Sequence, residues 1–292
     1  MENLVLKAKV LMEALPYIKR YWGKRVVIKY GGNAMEKPEL QRNFASDIVL
    51  MRYVGINPIV VHGGGPQISQ LMHRMGKEVR FVAGQRYTDE EGIEMVKMVL
   101  VGKVNKDIVS MINRHGPLAV GLSGDDGGLI LARKRHPLDM DGSPVDLGFV
   151  GEVAKINTQI IDDLIAGEFI PVIATVGADE NGQSFNINAD AVAAELAVAV
   201  KADKIIFLTN VEGIYSDPSQ PTSLISQLSL EECRRLLSGG RIGEGMIPKV
   251  EACVQALEGG VSRAHILNGT VQHAVLLEIF TDEGIGSMIA AG

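Results

Sequence analysis

Val26-Val27-Ile28-Lys29-Tyr30-Gly31-Gly32-Asn33 and Ile59-Val60-Val61-His62-Gly63-Gly64-Gly65-Pro66 follow one plan: an apolar, β-branched run that ends in glycine beside polar residues. Runs apolar on both faces read as strands buried between two layers, as in parallel sheets. Working outward, the same reading takes in six strands, at residues 25–29, 56–61, 118–122, 170–174, 204–208 and 264–267. Helix-period stretches lie between them, at 39–54, 66–75, 89–113, 157–166, 189–200, 230–237 and 249–259. Strands alternating with helices predict an α/β fold, a three-layer αβα sandwich around a mainly parallel open sheet. Residues 129–153, with Gly142-Ser143-Pro144, break the rhythm and read as a hairpin or flap.

The first 22 residues differ. Leu4, Ala8, Leu11, Leu15, Ile18 and Trp22 form one stripe of a helix, and Pro16 predicts a kink in it. Such a helix either packs on its own domain or protrudes to pair with a neighbouring subunit. A soft boundary near residue 200 divides the rest. The expected organisation is therefore 1–22 as an oligomerisation or regulatory helix, 23–200 as one lobe and 201–292 as a second, with a cleft between them.

Composition excludes several classes. The chain has 292 residues, 46% hydrophobic and 22% charged, which is ordinary for a globular protein. Lys and Arg number 29 against 35 Asp and Glu, a formal charge of −6, which speaks against nucleic acid as a partner. Cys233 and Cys253 are the only cysteines, without metal-ligand spacing, so no protein-bound metal is expected and the compartment reads as reducing, hence cytoplasmic. No uncharged apolar run approaches the about 18 residues of a membrane span, and no signal-peptide pattern is seen at the start.

Glycine supplies 33 residues, and its placement carries the chemistry. In open parallel sheets ligands sit beyond the carboxyl ends of strands, where both glycine runs fall. Without a Cβ, backbone N–H groups approach an anion closely, and Pro66 leaves a helix start open to the same anion. The Walker loop is absent, and Gly63-Gly64-Gly65-Pro66-Gln67-Ile68 lacks the last glycine of the dinucleotide fingerprint. Lys29, ending an apolar strand, is costly unless it meets an anion. Lys249, near a helix start where the dipole disfavours cations, raises the same expectation. Arg86 is placed to clamp a carboxylate. Asn188 reads as the N-cap of the helix that follows, which leaves Asn186 and Asp190 without a capping role. His62 reads as holding its loop. Two lysines, glycine loops, an arginine and an aspartate suit phosphoryl transfer, in which positioning and charge neutralisation do the work.

Four stretches, Ile28-Lys29-Tyr30-Gly31-Gly32-Asn33-Ala34-Met35, Val61-His62-Gly63-Gly64-Gly65-Pro66, Asn186-Ile187-Asn188-Ala189-Asp190 and Gly245-Met246-Ile247-Pro248-Lys249, occur in the order seen in one family. Over nearly its whole length the chain resembles the N-acetylglutamate kinases of the amino acid kinase superfamily. The resemblance implies ATP-dependent phosphorylation of the γ-carboxylate of N-acetyl-L-glutamate, the second step of arginine biosynthesis by the acetylated route. It implies Lys29 and Lys249 as neutralising groups, with Asp190 orienting them. Gly64, Gly65, Arg86 and Asn186 would hold acetylglutamate. Gly31, Gly32, Thr209, Asn210, Gly213, Tyr215, Gly243 and Met246 would hold ATP, with Mg²⁺ arriving on the nucleotide.

The N-terminal helix and residues 265–269 and 277–287 resemble the arginine-inhibited subgroup, in which such helices link dimers into a hexamer. That likeness implies an arginine site at Tyr17, Lys201, His265, Asn268, Glu278 and Gly286. Two departures stand out: an acid, Asp125, in Gly124-Asp125-Asp126-Gly127 where relatives often carry lysine, and Glu244 where a second glycine is common. The alternatives are another amino acid kinase (aspartate, glutamate, carbamate or uridylate), a non-catalytic amino-acid sensor on the same fold, and, further off, a dinucleotide oxidoreductase.

Overall fold

The computed structural model describes residues 2–35, 37–82, 84–137, 143–217, 219–243, 245–282 and 284–291. Gly142 and Glu244, both singled out above, lie outside them. The chain opens with α1 (Glu2–Tyr21) and continues through β1 (Arg25–Tyr30), α2 (Pro38–Tyr53), β2 (Asn57–His62), α3 (Gly65–Arg74) and a short hairpin of β3 (Phe81–Val82) and β4 (Gln85–Arg86). Next come α4 (Glu90–Lys97), a π-helical segment (Met98–Val104), α5 (Asn105–Asn113), β5 (Ala119–Ser123), β6 (Ile130–Lys134), β7 (Val150–Ile156) and α6 (Gln159–Ala166). Then follow β8 (Ile170–Ala174), β9 (Val176–Ala178), β10 (Ser184–Ile187), α7 (Ala189–Ala199), β11 (Lys204–Thr209) and a second hairpin of β12 (Ile214–Tyr215) and β13 (Leu224–Ile225). The chain closes with β14 (Gln227–Ser229), α8 (Leu230–Ser238), α9 (Ile247–Glu258), β15 (Arg263–Asn268), α10 (Ala274–Phe280) and β16 (Ser287–Ala290).

Eight strands form one sheet in the order β14-β16-β15-β11-β1-β2-β8-β5. All six strands expected from sequence lie in it, and the only antiparallel neighbours are β15 and β16. The mainly parallel αβα reading therefore holds. The stretch 89–113, expected as one helix, is instead α4 and α5 joined through the π-helical segment. Residues 129–153 supply β6 and the start of β7, which pair antiparallel and close with β9 and β10 into a small barrel.

Side-chain parity along the strands sorts the core into two halves. Val26, Ile28 and Tyr30 point to the layer holding α2 and α5, where the Tyr30 and Phe44 rings stack with centroids 3.8 Å apart. Val27, Ile59, Val61, Ile205 and Phe207 point to the layer holding α7 and α9. Lys29 shares the parity of Val27 and so emerges on the α7 side.

The first helix runs unbroken through Pro16, and its Leu4, Leu11 and Leu15 are exposed, as is Trp22 just beyond it. Its C-terminal part is anchored: Tyr17 packs against the core, Tyr21 is buried, and Trp22 lies against Gly55.

Candidate active site

A cleft of about 520 Å³ opens at the carboxyl ends of β1, β2, β8 and β10. It brings together Lys29, Gly31, Gly32, Gly64, Gly65, Arg86, Asn186 and Asp190, all expected from sequence. Asn188 caps α7 as expected, its side chain accepting from the N–H groups of Asp190 (2.8 Å) and Ala191 (3.2 Å). That cap starts the helix at Ala189 and sets Asp190 in its first turn, facing the end of β1.

Asp190 is the pivot. Lys29 Nζ lies 3.0 Å from its Oδ1, and Lys249 Nζ donates to its Oδ2 at 3.1 Å. Burial would raise this carboxyl, yet the two ammonium charges outweigh it and hold Asp190 below its ordinary value. One carboxylate thus stands between two ammonium groups, leaving an excess positive charge at the cleft. Gly31 makes room for it: a Cβ there would sit 2.8 Å from Lys29 Nζ. Gly32 carries φ +66°, a conformation that costs glycine little.

Arg86 is buried at the cleft wall. Its guanidinium donates to the Gly65 carbonyl (3.0 Å) and Ser69 Oγ (2.7 Å), touches Met72 Sδ (3.4 Å), and stacks over the Phe81 ring 5.0 Å from its centroid. Asn186 Nδ2 lies 3.5 Å from Thr88 Oγ1. Ser69, Phe81, Thr175 and Gln67 line the same cleft and were not singled out from sequence. Thr175, which follows β8, was findable by the carboxyl-end rule, whereas the others carry no sequence signal.

The remaining expected residues fall elsewhere. Asn210 adjoins the β1 glycine turn, its N–H nitrogen 4.0 Å from where a Gly32 Cβ would stand. Thr209 is buried, and its carbonyl accepts from Gly269 N–H at 2.8 Å. Tyr215 donates to Glu212 (3.3 Å). Gly243 lines a separate cavity of about 470 Å³ with Ser216, Asp217 and Arg241, and Met246 N–H donates to its carbonyl at 2.8 Å. Gly213 packs against Ser287 with no space for a side chain. None of these six lines the cleft that holds Lys29.

Where α1 meets α10, the Asp282 carboxylate beside Tyr17 raises its hydroxyl above the ordinary value. Glu278 is buried, and its Oε1 accepts from Lys204 Nζ at 3.1 Å and lies 2.8 Å from His265 Nδ1. Lys204, over the Tyr21 ring at 5.2 Å, was missed, because a lysine at a strand start looks solvent-facing in sequence. Asn268 binds its own turn through Thr270 N–H (2.9 Å), Gly286 abuts the Ile266 carbonyl, and Lys201 is exposed at φ +52°. Asp125, noted as a departure, is exposed, whereas its neighbour Asp126 accepts from Ser123 N–H at 2.6 Å. Among the described residues no helix is long and apolar enough to cross a membrane.

Residues 24–268 match the model of the amino acid kinase family. Acetylglutamate kinase of Halothermothrix orenii is 54% identical over 289 residues, covering 99% of each chain, and that of Pelotomaculum thermopropionicum is 55% identical over 287 residues, covering 97% of each. Among solved structures, N-acetylglutamate synthase of Neisseria gonorrhoeae, complexed with coenzyme A and N-acetyl-glutamate, superposes with a TM-score of 0.85 at 27% identity. The match covers 98% of this chain and 63% of that one. Carbamate kinase of Giardia lamblia shares the fold, with a TM-score of 0.69 at 18% identity over 92% of this chain and 99% of that one. On its family match and on relatives this similar over nearly their full length, the chain belongs to the acetylglutamate kinases of the amino acid kinase family.

Proposed function

We propose that the Lys29–Asp190–Lys249 cleft is where this enzyme phosphorylates the γ-carboxylate of N-acetyl-L-glutamate with ATP. The observation that carries the assignment is the single buried carboxylate shared at 3.0 and 3.1 Å by lysines from β1 and α9. A glutamate side chain titrates near ~4.3, so the acceptor is already an anionic nucleophile at neutral pH and needs no general base. Its oxygen forms the new bond to the γ-phosphorus as the bond to the β,γ-bridging oxygen breaks and ADP leaves. The obstacle is bringing a carboxylate against a polyphosphate. Lys29 and Lys249 neutralise the migrating group, and Asp190 keeps the two ammonium groups from repelling each other apart.

In this reading Gly64 and Gly65 present N–H groups to acetylglutamate, Arg86 binds its α-carboxylate and Asn186 its polar backbone atoms. Three of the five guanidinium N–H donors of Arg86 are engaged within the chain, which leaves two for a ligand. Gly31 and Gly32 face the ATP phosphates, and Thr209, Asn210, Gly213, Tyr215, Gly243 and Met246 bound the adenosine. Among the described residues no group of three His, Cys, Asp or Glu side chains converges, and both Asp190 oxygens face ammonium groups. Mg²⁺ is therefore assigned to the ATP phosphates, where it offsets their charge.

The lobes divide as 23–200 for acetylglutamate and dimerisation and 201–292 for ATP. Arginine is assigned as a feedback inhibitor between α1 and the second lobe, and α1 as the link that makes a hexamer from dimers. The exposed apolar stripe of α1 supports that role. The compartment is taken as the cytoplasm, in keeping with two free, buried cysteines.

The test is ATP consumption across a panel of N-acetylglutamate, glutamate, aspartate and carbamate, with hydroxylamine trapping the acyl phosphate. A hydroxamate formed from N-acetylglutamate is expected. Preference for another acceptor would move the assignment of the substrate loops, and binding without turnover would favour a sensor.

A further inference from the structure

Asn105 is fully buried, although it carries an amide into an otherwise apolar layer. Its Nδ2 donates to the Val172 carbonyl (2.9 Å) and lies 3.1 Å from His62 Nε2 and 3.3 Å from the Leu122 carbonyl. Carbonyls only accept, so the nitrogen of the amide is the atom pointing this way. An amide nitrogen does not accept, so a proton on His62 Nε2 would face a donor, and the second Nδ2 hydrogen goes to the nearer of its two remaining neighbours, an unprotonated Nε2. The opposite ring atom, His62 Nδ1, lies 3.0 Å from the Gly63 carbonyl and must donate. The two contacts are mutually consistent only for a neutral ring protonated on Nδ1. Burial supports that state, pushing His62 down to about 4.

Two further features build this arrangement. The π-helical segment ends at Val104, immediately before Asn105. A residue added to a helical turn rotates everything after it by about 100°, which here brings an amide to the sheet face. Opposite, a Cβ at Gly121 of β5 would collide with the Asn105 amide, so glycine is what admits it. The same segment walls the glycine turn: Leu100 would lie 2.6 Å from a Gly64 Cβ, and Val104 3.4 Å.

We propose that Asn105 is a positioning residue for this reaction: it fixes His62 as the Nδ1–H tautomer, and that N–H holds the Gly63 carbonyl and thereby the whole Gly63–Gly65 turn. The peptide between Gly63 and Gly64 is planar, so anchoring its carbonyl toward His62 aims the Gly64 N–H the opposite way. With Nε2–H instead, two lone pairs would face each other at Gly63, and a peptide between glycines would rotate out of line. The inference rests on the assignment of this turn to acetylglutamate made under Proposed function.

Two isosteric variants separate this role from simple core filling. His62→Asn keeps an N–H near the Nδ1 position, whereas His62→Gln keeps a polar group near Nε2 and loses the bond to Gly63. The expected result is that H62Q raises KM for N-acetylglutamate about tenfold, with kcat and KM for ATP within about twofold, and that H62N stays near wild type. In ¹⁵N spectra of the wild-type enzyme the His62 ring should hold its proton on Nδ1 from pH 5 to 9, and Asn105→Ala should let the other tautomer appear. Equal KM values for H62N and H62Q, or a wild-type ring protonated on Nε2, would overturn the proposal. A rise in KM for ATP alone would uphold the coupling and overturn the assignment of the turn to acetylglutamate. The spectra of the wild-type enzyme decide the matter even if the variants fail to fold.

Discussion

Two buried clusters in this molecule are built from nearly the same parts. In one, Asp190 sits between Lys29 and Lys249; in the other, Glu278 sits between Lys204 and His265. Their charges differ. Burial lowers His265 even though Glu278 pulls the other way, so that ring is neutral and one lysine balances one glutamate. Among the described residues, the Asp190 cluster pairs two ammonium groups with one carboxylate, and it borders a cleft. A buried cluster with balanced charge holds elements together, while one with excess charge awaits a counter-ion. In the function proposed above, that counter-ion is the phosphoryl group.

The sharpest test removes the excess. Lys29→Ala and Lys249→Ala should each lower kcat by about 10²–10³, by analogy with the loss of an oxyanion donor, with KM for N-acetylglutamate little changed. Steady-state turnover by hydroxamate formation checks this, and near-full activity in K29A would erase the distinction between the clusters. The complementary change is Lys204→Met, which should cost about 3–5 kcal/mol of stability, since it strands a buried acid, and leave kcat within about twofold. The pH dependence follows from the sign of the shift. Burial tends to raise Glu278, but His265 and Lys204 prevail and hold it below 4.5. The stabilisation is therefore full above that value and is lost as pH falls through the folded-state value. Thermal melts should show a wide gap between wild type and K204M at pH 7 and a narrow one near pH 3.

Smaller effects probe the cleft walls. Arg86→Lys should raise KM for N-acetylglutamate about tenfold, because a point charge replaces a planar fork, with kcat within about threefold. Smallest for turnover is the removal of residues 1–16, which spares buried Tyr21 and its contact with Lys204. That truncation should leave kcat unchanged while reducing assembly size in light scattering and weakening inhibition by arginine. An undiminished hexamer would detach α1 from assembly.

These clusters also mark how far the sequence could be read. Lys29 was legible because a charge at the end of Val26-Val27-Ile28 has no apolar explanation, and Asp190 because Asn188 already accounted for the cap. Lys204 opens a strand and Asn105 falls within a helix-period stretch, and there polar residues are commonplace. The six long strands announced themselves by apolar runs. β14 and β16, with three and four residues, and α10, with seven, are too short to show a period. The π-helical segment was invisible because its apolar spacing matches that of the helices on either side. Arg86 was found, but not the Ser69 and Phe81 contacts that hold it, since these depend on a hairpin folding back over α3.

β1, which carries Lys29, is hydrogen-bonded along its length to β11 on one side and to β2 on the other. The half assigned to the phosphate donor and the half assigned to its acceptor therefore share a seam of ladder hydrogen bonds. Ladder register sets how β1, β2 and β11 line up along that seam. Redesign of acceptor choice can accordingly be confined to the turns above β2 and β10, with the donor side left as it stands.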